Sequence, residues 1–143
     1  MALTVTKVDV WSAEILDEPG SLAAKLEGLA GAGANLDFLI ARRQPDKRGR
    51  GIVFVTGIKG VAANRAAKAA GLAKTTALAA LRVDASNKPG VCHQMLSQIA
   101  SAGINVRGVS ASAIGSKCVT LVAFDSKDDA NKAARLLGKA GRK

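Results

Sequence analysis

Asp17-Glu18-Pro19-Gly20 leads into a helical run that closes at Gly33-Ala34-Asn35, and Asn87-Lys88-Pro89-Gly90 leads into another that closes at Gly103-Ile104-Asn105. Pro19 to Pro89, Gly33 to Gly103 and Asn35 to Asn105 are each a shift of 70 in a chain of 143 residues. Such spacing marks two copies of one supersecondary unit, and repetition has to be settled before any single motif is weighed. At that shift, residues 8–43 match residues 78–113 identically at 8 of 36 positions: Pro19/Pro89, Gly20/Gly90, Leu26/Leu96, Ala30/Ala100, Ala32/Ala102, Gly33/Gly103, Asn35/Asn105 and Ala41/Ala111. The alanine matches say little in an alanine-rich chain. Pro-Gly and Gly-x-Asn carry the signal, because they hold special backbone positions.

Working outward, Val5 to Leu16 reads as a first strand, with Val8, Val10, Trp11 and Ala13 as candidates for an inward face. Pro19 suits the first turn of a helix, where its missing N–H costs nothing. Leu22, Leu26, Leu29 and Ala30 recur at helical spacing, and Gly31 and Gly33 stop the run. Asn35 to Ala41 is a second strand, Arg42 to Gly51 a basic loop with a Gln44-Pro45-Asp46 turn signal, and Ile52 to Thr56 a third strand. Val61 to Ala70 is an Ala-rich helix closed by Gly71.

The second copy repeats this order. Leu78 to Ala85 is a strand, Pro89 opens a helix with Cys92, Leu96, Ile99 and Ala100 inward, and Asn105 to Ala113 is a strand. Val119 to Phe124 is the next strand, and Ser126-Lys127-Asp128-Asp129 has the form of a helix cap with acids in the first turn. Each unit is therefore β-α-β-β-α, with Thr75 to Val83 able to finish one unit and begin the next. The expected fold is α+β: a split βαβ arrangement of antiparallel strands with helices on one face, divided at 1–76 and 77–143.

Composition narrows the classes. A hydrophobic fraction of 48% is that of a globular protein. Units of about 70 residues are marginal alone, so the two are expected to share a core or pack edge to edge. No apolar run reaches the roughly 18 residues of a membrane span, and Met1 to Lys7 lacks a signal-peptide core. Cys92 and Cys118, the two cysteines, form no CxxC and read as reduced thiols of a cytoplasmic protein. The formal charge of +10 is uneven: residues 1–72 carry ten basic and seven acidic side chains, residues 73–143 eleven and four.

The pattern of a hydrophobic strand, D/N-x-P-G, an amphipathic helix, G-x-N and a further hydrophobic strand resembles the ACT domain, and nearly the whole chain is similar to small proteins made of two such domains. The resemblance implies two ferredoxin-like βαββαβ units in tandem and regulatory binding of an amino acid or related carboxylate near the strand-to-helix turn, where two units pack together. Independently of the resemblance, open amides at a helix start and the helix dipole favour a carboxylate, and Gly20 and Gly90 admit close approach. The candidate ligand-binding residues are Asp17, Gly20, Ser21, Leu22 and Asn35 in the first copy and Asn87, Gly90, Val91, Cys92 and Asn105 in the second. Asp17 and Asn87 would receive an ammonium, while Asn35 and Asn105 offer both donors and acceptors. Asp17 is charged and Asn87 is not, so the copies are not expected to bind equally.

The chain departs from the family at its end: Gly138 to Lys143 is too short and polar for a fourth strand. Ala2 to Thr6, which aligns at the same shift with Leu72 to Thr76, is the candidate replacement.

Three other function classes are open to such a chain. A catalyst is not expected: His93 is the single histidine, it sits within a helix, and no nucleophile–base set, carboxylate pair or metal-ligand spacing is present. No metal or cofactor is expected. Nucleic-acid binding has the charge and the βαββαβ order in its favour, with Arg42, Arg43, Lys47, Arg48 and Arg50 as phosphate contacts. However, Trp11, Phe38, Phe54 and Phe124 are the whole aromatic set and do not supply a stacking pattern. A purely structural oligomerisation module is the third class. The expected partners are an amino acid or related carboxylate, a second copy in a homodimer, and an enzyme or regulator as target.

Overall fold

The computed structural model describes residues 3–141. The elements run β1 (Leu3–Val8), β2 (Trp11–Leu16), α1 (Ser21–Gly31), β3 (Phe38–Arg43), β4 (Arg50–Thr56), α2 (Val61–Ala69), β5 (Ala73–Lys74), β6 (Ala79–Ser86), α3 (Val91–Ser101), β7 (Gly108–Ile114), β8 (Lys117–Phe124) and α4 (Lys127–Gly141). They form two compact units: one is Asp9–Thr75, the other Met1–Val8 with Thr76–Lys143. Each holds a four-stranded antiparallel sheet, in the orders β3-β4-β2-β5 and β7-β8-β6-β1. The α+β class and the two ferredoxin-like units read from the repeat are what the chain adopts.

Alternation along the central strands explains the layers. In β4, Gly51, Val53 and Val55 are buried, and in β8, Cys118, Thr120, Val122 and Phe124 are, with Thr56 and Leu121 buried out of phase; the main pattern is the period of a sheet covered on one face. The first core joins Trp11, Ala13, Val53 and Val55 of the sheet to Leu29 and Ala67 of α1 and α2. The second joins Leu81, Val83, Val122 and Phe124 to Met95 and Ile99 of α3 and Ala130, Ala133 and Leu137 of α4. Trp11 is 2% exposed, so the inward face expected of the first strand holds there.

The fourth strand of the second sheet comes from the N-terminus. β1 pairs with β6 antiparallel over six residues, Leu3 opposite Ala85 through Val8 opposite Ala80. Leu3 and Val5 pack on the second core. The replacement inferred from the short C-terminal tail is thus the observed arrangement, with Ala2 outside the described residues. Its register differs from the uniform shift. Lys7 lies opposite Leu81 where Lys74 lies opposite Trp11, and Thr6 lies opposite Arg82 where Ala73 lies opposite Ser12, so the equivalence moves by three residues.

Two expectations are corrected with it. Val5 to Leu16 is not one strand: Asp9 and Val10 separate β1 from β2, Val10 accepts from the Thr75 amide at 2.9 Å, and Asp9 lies 3.5 Å from Lys74. The division at 1–76 and 77–143 also gives way, because strand pairing places residues up to Val8 with the second unit.

The strands after α1 and α3 begin later than Asn35 and Asn105. Gly33 and Gly103 have φ of 76° and 74°, and their amides close back on Ala30 and Ala100, while Ala34 and Ile104 close on Leu29 and Ile99. This Schellman closure occupies the residues after the helix, so ladder pairing starts only at Phe38 and Gly108. Ser126 accepts from the Asp129 amide at 3.1 Å, the cap expected for α4.

Candidate ligand-binding corners

Both Pro-Gly sequences fold into the same corner. Gly20 (φ 85°, ψ −13°) and Gly90 (φ 83°, ψ 0°) precede α1 and α3. The Ser21 amide donates to Glu18 O at 3.3 Å and the Val91 amide to Lys88 O at 3.2 Å. Proline followed by glycine at these angles, closed by that bond, is a type II turn. Pro19 and Pro89 therefore stand before the helix and not in its first turn, because the turn needs proline's fixed φ one residue ahead of the left-handed glycine.

The first intrahelical bonds at the corners run from Ala24 to Gly20 O and from Gln94 to Gly90 O, both at 2.9 Å. The amides of Leu22 and Ala23, and of Cys92 and His93, precede them. Neither helix has a side-chain cap or an acidic residue in its first turn. Helix starts left in this state favour an anion. Residues 17–20 and 87–90 are exposed, so the corners are open.

A cavity lies beside each corner. The first, about 230 Å³, is lined by Ile15, Leu16, Asp17, Glu18, Ser21, Leu22, Ala41, Arg42, Arg43 and Gly51. The second, about 290 Å³, is lined by Asn87, Lys88, Gly90, Val91, Cys92, His93, Ala111, Ser112, Ala113 and Cys118. The linings correspond in part: Asp17, Glu18, Ser21, Leu22, Ala41, Arg42 and Arg43 match Asn87, Lys88, Val91, Cys92, Ala111, Ser112 and Ala113 by the shift of 70. Strand register, with Ile15 opposite Gly51 and Ala85 opposite Cys118, matches Gly51 to Cys118. Ile15 and Leu16 line only the first cavity and Gly90 and His93 only the second. The amide of Asp17 reaches Gly49 O at 3.0 Å and that of Asn87 reaches Ser116 O at 2.9 Å, so each corner is tied to the adjoining hairpin in the same way.

Their chemistry differs. Asp17, Glu18, Arg42 and Arg43 give the first cavity both signs of charge; Asn87, Lys88, Ser112 and Ala113 stand in their places in the second. Arg43 Nε donates to Asp17 Oδ2 at 2.8 Å, with the two side chains 85% and 36% exposed. Exposure of that order makes the pair a weak and readily exchanged contact. Asn87 Nδ2 donates to Gly115 O at 3.2 Å, which orients it toward the hairpin.

Of the residues singled out from sequence, Asp17, Ser21 and Leu22 line the first cavity and Asn87, Gly90, Val91 and Cys92 the second. Gly20 shapes the first corner without lining its cavity. Asn35 and Asn105 line neither. They follow the far ends of α1 and α3, and Asn105 Oδ1 accepts from the Val106 amide at 3.0 Å. The sequence reading missed Arg42 and Arg43 as cavity residues, having placed them in a basic loop, and it missed Cys118. The signal that could have found them is the hairpin itself: β3 returns as β4 beside the end of β2, so residues at the end of β3 must face the corner.

No family model matches the chain, and no curated protein matches it. Solved structures do, at low sequence identity. A protein from Bacteroides thetaiotaomicron superposes with a TM-score of 0.77 at 18% identity, over 95% of this chain and 90% of that one. The regulatory subunit of aspartate kinase from Thermus thermophilus superposes with a TM-score of 0.65 at 17% identity, over 98% and 97%. Aspartokinase III of E. coli, solved in complex with aspartate and ADP, superposes with a TM-score of 0.63 at 13% identity, over 99% of this chain and 33% of that enzyme. Across nearly its whole length, then, this chain has the ACT-type ferredoxin-like fold found in regulatory subunits of aspartate kinase.

Proposed function

We propose that the chain is a non-catalytic regulatory module that senses an amino acid or related carboxylate at its Pro-Gly corners. The observation that carries this reading is the pairing of an uncapped helix start with an adjoining cavity, present twice at equivalent positions. The first corner is the better amino-acid site. The Leu22 and Ala23 amides and Arg42 face a carboxylate, and Asp17 and Glu18 face an ammonium. The ammonium would displace Arg43 from Asp17, exchanging one surface ion pair for another. The fold shared with regulatory subunits of a kinase supports a role in control, with an enzyme or regulator, or a second copy of the chain, as the element that responds.

The mechanism is a shift of population between two arrangements that bind the ligand unequally. Ligand at 100 times its dissociation constant adds about 2.7 kcal/mol to the bound arrangement, enough to reorganise a marginal contact. A thermal-shift screen of the twenty amino acids, followed by calorimetric titration of any hit, tests it. Arg42→Ser with Arg43→Ala gives the end of β3 the residues found at the equivalent positions of the second cavity, removes the cationic side of the first, and should abolish carboxylate binding there while the fold melts as before. Absence of any amino-acid or carboxylate hit, with tight salt-sensitive RNA binding in its place, would overturn the reading.

A further inference from the structure

The two cysteines of the chain come from different elements, 26 positions apart, and line one cavity. Cys92 is in the first turn of α3 and half-buried; Cys118 begins the buried face of β8 and is 6% exposed. Both are free thiols. The repeat does not require sulfur at either place, since the equivalent positions are Leu22 and Gly51. In the first unit a Cβ on Gly51 would meet Ile15 Cγ1 at 3.1 Å. In the second unit the residue opposite Cys118 is the smaller Ala85. Lys88 and His93 line the same cavity, with His93 Nε2 3.4 Å from Ser97 Oγ.

We propose that Cys92 and Cys118 are a reversible dithiol/disulfide pair, oxidised through this cavity by a low-molecular-weight disulfide. The more accessible partner, Cys92, reacts first. The Cys92 thiolate attacks one sulfur of the disulfide RSSR, forming Cys92–S–S–R and releasing RS⁻. The Cys118 thiolate then attacks the Cys92 sulfur and releases the second RS⁻, leaving Cys92–S–S–Cys118. Two thiol protons pass to solvent or to the released thiolates, and two electrons pass to the reagent, which becomes two thiols. Closure requires the Cβ atoms to come to about 3.5–4.5 Å. In a reducing compartment such a pair is transient and redox-sensing. This chemistry is independent of amino-acid binding at the first corner.

The test is equilibration of the full chain with oxidised and reduced glutathione at fixed ratios, read by free-thiol titration, intact mass and peptide mapping. The wild-type chain should lose both thiols, gain no glutathione and yield a peptide linked from Cys92 to Cys118. Cys118→Ala should stop with one glutathione on Cys92, and Cys92→Ser should keep the buried Cys118 thiol unreacted while folded. Circular dichroism melts confirm that each variant is folded. Two thiols surviving in the wild type, a stable glutathione adduct on Cys92 beside a free Cys118, or cross-links only between copies would each overturn the proposal.

Discussion

At Gly20 and Gly90 the backbone conformation, not crowding, is what demands glycine. A Cβ at either position would meet nothing within 4 Å, yet φ is +85° and +83°. Alanine there should cost about 1–2 kcal/mol per site, the left-handed penalty of an L-residue. Asparagine should recover part of it, as urea melts of the alanine and asparagine variants at each position would show. The same reasoning says that bulky glycine substitutions are a poor probe of ligand binding, since they strain the corner itself. Ser126→Ala removes the cap on the Asp129 amide and should destabilise the chain by about 1 kcal/mol in the same assay. The corner and the cap were legible because each is a contact between residues three apart. Arg42, Arg43 and Cys118 were not legible as site residues, because β3–β4 and β7–β8 pairing brings them in from more than 20 positions away.

At the scale of elements, the β3–β4 hairpin changes the meaning of its charge. The sequence shows five basic residues between Arg42 and Arg50. In the fold, Arg43 pairs with Asp17, and Lys47 and Arg50 pair with Glu14, at 2.8, 2.9 and 3.7 Å. Arg42 and Arg48 have no ion pair among the described residues. Two carboxylates thus engage three of the five cations, so the hairpin presents less open positive charge to a phosphate than the sequence suggested, although exposed pairs of this kind exchange readily. Glu14 is held below its ordinary value of 4.5, first by the hydrogen bond from Lys47 and then by that from Gln44. A carboxyl lowered by folding stabilises the folded state above its unfolded value, and that contribution disappears as pH falls through the lowered one. The hairpin should therefore keep its contacts to Glu14 at neutral pH and lose them only below the usual carboxylate range. A side-chain NMR titration of Glu14 checks this, and a midpoint at or above 4.5 would contradict it.

At the scale of the molecule, the decisive feature is that the first strand of the chain completes the sheet of the last unit. Six register pairs tie β1 to β6, against two between β5 and β2. Removing residues 1–8 should therefore strip protection from Ala79–Ser86 and destabilise the second unit more than the first. Hydrogen exchange resolved by segment measures this, and unchanged protection in β6 would refute it. The sequence by itself determined the duplication, the order of helices and strands, the Pro-Gly corners and the helix closures at Gly33 and Gly103. All of these are set by backbone angles and by side-chain periodicity over a few residues. Tertiary structure alone decided the register of the N-terminal strand, the break at Asp9 and Val10, and which distant residues line each cavity. Strand partnership is a choice among open edges of similar chemistry, settled by hydrogen bonds and buried faces contributed from opposite ends of the chain, and short-range patterns do not contain that information.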